Sequence, residues 1–154
     1  MITRDIVRDN VLSVIRETSV FLVDAQVNGA NRISVKVDKP EGITIDECVH
    51  LSRAIEAGLQ NESEDFELEV SSPGLTEPFK VMEQYRKNYG RQVDVVKSCG
   101  QKLTGILQHA DHNGILLDVQ TKIRETGQKR FQTVTHPVSL KFEDIKTTKV
   151  TITF

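Results

Sequence analysis

Phe66-Glu67-Leu68-Glu69-Val70-Ser71-Ser72-Pro73-Gly74-Leu75 lies near the middle of the chain and decides how the rest divides. Phe66, Leu68 and Val70 alternate with Glu67 and Glu69, the period of a strand with one buried and one wet face. The strand then meets two hydroxyl residues, a proline with fixed φ and a glycine that tolerates positive φ. A strand stopped in this way is a structural corner. Ser71 and Ser72 stand where nucleophiles sometimes stand, but no Gly-x-Ser-x-Gly elbow surrounds them. Hydroxyls in such a turn serve to satisfy nearby backbone amides.

Upstream of the corner the pattern alternates between helix and strand. Val7, Val11, Val14 and Thr18 fall at helical spacing, with Ile15 flanking them, and predict a helix over 4–17. Phe21, Val23, Ala25 and Val27 alternate against Leu22, Asp24 and Gln26, and Ile33, Val35 and Val37 against Arg32, Ser34, Lys36 and Asp38, so two strands follow. Asn28-Gly29 between them predicts a tight hairpin, because both residues tolerate positive φ. Thr44-Ile45-Asp46-Glu47 fits a capping box, with Ile43 and Cys48 placed as its hydrophobic staple. Cys48, Leu51, Ile55 and Leu59 then mark one face of a helix over 44–60. The order is helix, strand, strand, helix, strand: two helices covering one face of a three-stranded sheet. On the open face Arg32 and Lys36 are placed to pair with Glu67 and Glu69, at about 0.2–1 kcal/mol per exposed pair.

Downstream the texture changes. Residues 78–88 read as a short helix or an extended connector. Short strands are then expected at about 91–97, 102–110, 115–120, 130–135 and 148–153, with Asn113-Gly114 as a second tight hairpin. Five short strands in so little chain predict a small Sm/SH3-like β-barrel. The polar, basic stretch 120–130 reads as a long loop or a protruding hairpin. The fold class is therefore α+β, with an N-terminal α-β-β-α-β domain over 1–84 and the barrel over 85–154.

The 154 residues are 38% apolar and 27% charged, without tryptophan, so each small domain has modest core material. A domain of this size buries only about 60% of the surface that its unfolded chain exposes. No apolar run approaches the ~20 residues of a membrane span. The residues Met1-Ile2-Thr3-Arg4-Asp5 lack the apolar core of a signal peptide. Two lone cysteines, Cys48 and Cys99, suit a reducing compartment, so a cytoplasmic location is expected. The net charge of −2 hides an asymmetry: residues 1–89 carry 10 Lys+Arg against 16 Asp+Glu, and residues 90–154 carry 10 against 6. The first part suits basic protein and the second tolerates a phosphate backbone.

Chemistry is sparse. His109 and His112 flank Asp111 at a hairpin, without the spacing to Cys99 or His136 that a zinc site needs. No phosphate-cradling glycine motif occurs. Cys48 falls on the apolar stripe of its helix. No catalytic site and no cofactor are expected. Binding has more support. Lys122, Arg124, Lys129 and Arg130 form the densest basic group, suited to neutralising phosphates with a strong dependence on salt. The stretch from Lys102 to Asp118 resembles the first Sm motif, with Gly105 bending a strand and Asp111 and Asn113 shaping the turn. Its turn is shorter than in Sm proteins, and no Arg-Gly pair follows. An Sm-like RNA-binding regulator is the alternative this resemblance implies.

A wider resemblance covers the chain. Glu69-Val-Ser-Ser-Pro-Gly-Leu75, the run Asp38-Lys-Pro-Glu-Gly-Ile-Thr-Ile-Asp-Glu-Cys48, and Tyr85 with Gly90 resemble the motifs of the bacterial ribosome maturation factor RimP family. The later strands match in outline, through Gly105 and the segment 142–146. The resemblance implies an α/β domain followed by an Sm/SH3-like barrel. It implies a monomeric, non-enzymatic factor that assists maturation of the 30S small subunit, binding the immature subunit near ribosomal protein S12 and 16S rRNA. Ser71, Ser72, Pro73, Gly74, Lys102, Lys122, Arg124, Lys129 and Arg130 are the residues expected to touch partners. One departure stands out: the family usually carries Asp-Arg-Pro-Leu after the Pro-Gly-Leu, whereas this chain reads Thr76-Glu77-Pro78-Phe79, which reverses a local charge.

Overall fold

Three helices and two sheets make up the fold in a computed structural model that describes residues 2–60, 64–123, 127 and 132–152, with Lys122, Ile123 and Gln132 described by their backbone. The chain divides into two compact units, Met1–Gly74 and Leu75–Phe154. The division falls at the Pro73-Gly74 corner itself, ahead of the 84/85 boundary expected from patterning. Residues 75–84 lie in the second unit because Phe79 and Met82 pack into its core.

In the first unit, α1 (Arg4–Val14) is capped by the Thr3 hydroxyl, which accepts from the Ile6 amide at 3.2 Å. Its apolar stripe buries Val7 and Val11 completely. The helix stops short of the expected residue 17 because Glu17 adopts φ 64°, a left-handed conformation no helix can continue through. Strands β1 (Phe21–Val27) and β2 (Arg32–Asp38) pair antiparallel. Their loop takes a form other than the expected Asn28-Gly29 turn. The left-handed residue is Asn31 at φ 55°, and the Asn28 side chain accepts from the Ala30 and Arg32 amides at 3.1 Å each.

The capping box forms as its spacing dictates. The Thr44 hydroxyl accepts from the Glu47 amide at 3.1 Å, and the Glu47 carboxylate accepts from the Thr44 amide at 3.2 Å. Helix α2 (Ile45–Leu59) then buries Cys48, Ile55 and Leu59 against the sheet. It is the crossover that lets β3 (Glu67–Ser71) lie parallel to β2, a pairing no short hairpin can make. The sheet order is β1-β2-β3. Both helices share one core with Ala25, Ile33, Val35 and Val37, where each large apolar side chain contributes about 1.5–3 kcal/mol on burial.

Lys39 ties the turn after β2 to the cap, with its ammonium 2.6 Å from Glu47 and 3.2 Å from Glu41. The hydrogen bond from Lys39 holds the Glu47 carboxyl below its ordinary value of 4.5. A depressed carboxyl stabilises the fold above that ordinary value, and its contribution is lost as pH falls through the folded value. The thermal midpoint of the first unit is therefore expected to fall on acidification below pH 4.5. Glu47→Gln is expected to flatten that fall, as read by circular dichroism melts across the acid range.

The second unit opens with α3 (Met82–Lys87), followed by β4 (Gln92–Lys97), β5 (Lys102–Asp111), β6 (Gly114–Ile123), β7 (Gln132–Lys141) and β8 (Ile145–Val150). These form one antiparallel sheet in the order β7-β6-β5-β4-β8. Among the described residues β7 and β8 are its ends and do not pair, so the expected barrel is here a five-stranded sheet that does not close. Strand β5 bends between two partners: Lys102–Gly105 pair only with β4, Ile106 faces both neighbours, and the later residues pair with β6. Gly105 sits at the bend, where an added Cβ would stand 2.7 Å from the Asp118 carbonyl oxygen. Strand β7 runs through Pro137, which breaks the sequence pattern. Its position at the sheet end explains the tolerance, since an edge strand has one row of amides without ladder partners.

Val93, Val95, Leu107 and Leu117 are fully buried in this unit. Tyr85 closes the core from α3. Its ring meets Phe79 and Phe142 edge-on at 5.0 and 5.4 Å, and its hydroxyl donates to Thr148 Oγ1 at 2.9 Å.

Candidate functional site

The Ser71-Ser72-Pro73-Gly74 corner, expected to touch partners, ends β3 and the first unit. Ser72 and Gly74 are exposed, Ser71 and Pro73 half-buried. Gly74 departs from expectation. Among the described residues the glycines with positive φ are Gly42, Gly90, Gly100, Gly114 and Gly127, so the corner turns without left-handed strain at Gly74.

The register carries the motif's carboxylates onto the polar face of the first sheet. Glu67 lies opposite Arg32, Glu69 opposite Ser34 and Ser71 opposite Lys36. The Arg32 guanidinium comes 3.5 Å from the Glu67 carboxylate, the exposed pair that alternation predicts. Arg32, Ser34, Glu67 and Glu69, with Gln26 and Asn28, line a shallow concavity of about 400 Å³.

The expected basic group is largely beyond description. Lys102 is exposed at the start of β5. Lys122 is placed by its backbone, opposite Thr133, and Arg124, Lys129 and Arg130 fall outside the described residues. The neighbouring ladder is informative. Strand β5 pairs with β6 only as far as Asp118, yet β6 and β7 pair on from Val119↔His136 to Ile123↔Gln132. The hairpin alternative for this stretch therefore holds through Ile123.

The β5–β6 end gathers a group that spacing does not reveal. Asp111 Oδ1 accepts from the Asn113 amide at 2.9 Å, which with the Gly114 amide holds its carboxyl below the usual range. His109 Nε2 lies 3.4 Å from Asp111 Oδ2. The Tyr89 ring is 6.0 Å from the His109 ring, and its hydroxyl both donates to the Ala110 carbonyl at 3.0 Å and accepts from the Ala110 amide at 2.9 Å. Strand β6 places Gly114 and Leu116, and β7 places Ser139 and Lys141, around a concavity of about 400 Å³ beside them. Counting register outward from Asn113-Gly114 pairs the β5 and β6 members. The β7 members depend on how the stretch 120–130 is crossed, which alternation does not set.

Among the described residues no group of three or more His, Cys, Asp or Glu side chains is arranged to hold a metal, and no helix is long and apolar enough to cross a membrane. Cys48 is buried, and burial pushes its thiol up, away from the reactive thiolate.

The comparisons with known proteins follow this layout. A sequence profile of the RimP N-terminal domain matches residues 10–76. A ribosome maturation factor RimP of Christiangramia forsetii is 40% identical over 136 residues, 88% of each chain. This chain belongs to the RimP family. Other RimP relatives agree: that of Porphyromonas gingivalis is 40% identical over 126 residues, 82% of this chain and 83% of its own, and that of Flavobacterium psychrophilum is 30% identical over 136 residues, 88% of each. The RimP profile ends within two residues of Gly74, where the first unit ends. These matches, over 82–88% of this chain, carry the relationship into the second unit. Within this RimP chain Glu77 is half-buried and makes an interaction of its own.

Proposed function

We propose that this chain is a non-enzymatic assembly factor required for maturation of the 30S small ribosomal subunit. The observation that carries the reading is the 40% identity across 88% of both chains to a protein named a ribosome maturation factor. The factor works in the cytoplasm as a monomer, binding the immature subunit near ribosomal protein S12 and 16S rRNA. It needs no bond-making: binding one assembly conformation better than another shifts its population.

Charge supports a division of labour. Drawn at Gly74, the first unit carries 7 Lys+Arg against 14 Asp+Glu, or −7, and the second 13 against 8, or +5. The acidic unit suits a basic ribosomal protein and speeds its encounter. The basic unit, with Lys102, Lys122, Arg124, Lys129 and Arg130, suits rRNA phosphates, and the partly exposed corner Ser71, Ser72, Pro73 and Gly74 gives the first unit a contact of its own.

Two measurements test this. Loss of the gene is expected to raise free subunits at the expense of complete ribosomes, and an unchanged profile sinks the assembly reading. Neutralising Lys122, Arg124, Lys129 and Arg130 to glutamine is expected to weaken binding to immature small subunits and flatten its salt dependence by about 3 in the log–log slope. An unchanged slope removes those four side chains from the interface.

A further inference from the structure

We infer that the outer edge of β3 takes up an extended, basic segment of a protein partner as an added strand of the first sheet. The inference rests on the assembly-factor reading for the basic character of that partner, and it names the surface and the conformation of one contact.

The two edges of the first sheet differ. With the order β1-β2-β3, the outer strands each keep one side without a ladder partner among the described residues. On β1 that side is closed. The Asn28 amide donates to Arg32 O, and alternation from that pair turns the Ala25 amide and carbonyl outward. The outward amide donates to Asp24 Oδ1 at 3.0 Å, and the carbonyl accepts from Arg4 Nε at 2.9 Å. A bulge between Leu22 and Asp24 further spoils this edge for pairing. Strand β3 has no such seal among the described residues. Its Glu67 amide donates to Asn31 O at 3.0 Å, and the parity of parallel pairing then turns the Glu69 and Ser71 amides toward β2 as well. The amides and carbonyls of Leu68 and Val70 therefore point outward, where no group among the described residues bonds them.

What flanks this edge selects the occupant. Donors and acceptors repeating at alternate residues match a second backbone in extended form, which supplies the same pattern in return. On the polar face Glu67 and Glu69 are exposed. Glu67 faces Arg32, whereas Glu69 makes no ion pair among the described residues. On the other face Phe66, Leu68 and Val70 are only partly buried beside the core. An added strand thus meets carboxylates on one face and apolar side chains on the other. The sequence that fits alternates lysine or arginine with apolar residues. The same carboxylates disfavour a second copy of β3, whose own Glu67 and Glu69 would stand beside them. The −7 charge of the unit draws a cationic segment in.

Amide hydrogen exchange of the full-length chain, read by nuclear magnetic resonance with and without a short peptide alternating lysine with valine, tests this. The peptide is expected to slow exchange at Leu68 and Val70. Glu69 and Ser71, already bonded in the ladder, should change little. Anisotropy of the labelled peptide gives the affinity. Glu69→Lys should weaken binding about tenfold, exchanging an attractive cross-strand pair for a repulsive one. Glu56→Lys, the same change of charge at an exposed position of α2, should alter it less than twofold. Both positions are exposed, so both variants should melt like the parent. Methylating the backbone amides of the peptide should abolish binding without changing its charge. Binding that survives methylation, or that leaves Leu68 and Val70 exchanging as before, is attraction by charge alone and overturns the added strand. Protection of these amides that rises with the concentration of the chain alone assigns the edge to a second copy and overturns it too. Co-sedimentation with immature small subunits separates the two readings. Subunit binding by a chain that ignores the peptide removes the edge site and leaves the assembly factor. Peptide binding without subunit binding keeps the edge site and removes the assembly factor.

Discussion

Replacing Tyr85 by alanine is expected to cost the second unit about 4 kcal/mol, within the range for deleting a large buried aromatic. The ring is 7% exposed and stands edge-on to two other rings at 5.0 and 5.4 Å. Truncation opens a cavity bounded by Phe79 and Phe142, which belong to different segments and cannot both collapse into it. The phenol adds a separate effect. Its hydroxyl donates to Thr148, whose side chain is 1% exposed, and burial pushes the Tyr85 pKa up. Tyr85→Phe keeps the ring and strands the Thr148 hydroxyl, costing about 1–3 kcal/mol. Combining Tyr85→Phe with Thr148→Val removes both polar partners and is expected to recover part of that loss. Chemical denaturation of the four proteins measures this. An alanine variant within 1 kcal/mol of the parent would mean that α3 is not held on the sheet by this ring.

The same residues show where sequence reading succeeds and where it stops. Helix α2 was legible because its signals are local: Thr44 and Glu47 are three residues apart, and Cys48, Ile55 and Leu59 repeat at the helical period. The strands of the first unit were legible from alternation, and alternation also set the Arg32–Glu67 pairing once the strands were neighbours. Turn geometry was not. Asn28-Gly29 and Pro73-Gly74 both carry residues that permit positive φ, yet the first loop uses Asn31 and the second does not use Gly74. Permission is local, whereas the choice depends on how the strands beyond the turn must meet. β7 shows the same limit in a strand: it was expected over 130–135, yet it runs on through Pro137 to Lys141, which its place at the sheet end permits. The grouping of Tyr89, His109 and Lys141 was hidden for a stronger reason. It arises from a bulge in β5 between Leu107 and His109 and from the β6–β7 register, neither of which leaves a periodic trace.

Gly114→Ala is expected to destabilise the second unit by about 3 kcal/mol, more than the glycine-to-alanine change gains from a stiffer unfolded chain. The reason is contact with fixed backbone. A Cβ built on Gly114 would collide with the Leu140 carbonyl oxygen and lie 2.9 Å from Leu140 C and Lys141 Cα. A flexible side chain can swing aside, but a ladder carbonyl moves only if the strand moves with it. Gly58 offers the contrast within the same protein. Its added Cβ would meet the end of the Asn10 side chain, whose amide donates to Ile55 O at 2.8 Å and can give up that bond. Gly58→Ala should therefore cost about 1 kcal/mol, the worth of one hydrogen bond, less whatever the better helix former returns. Thermal melts of the two alanine variants beside the parent decide the point. A Gly114→Ala protein as stable as the parent would show that β7 can move away from β6 at this point, and that the ladder there is softer than the register suggests.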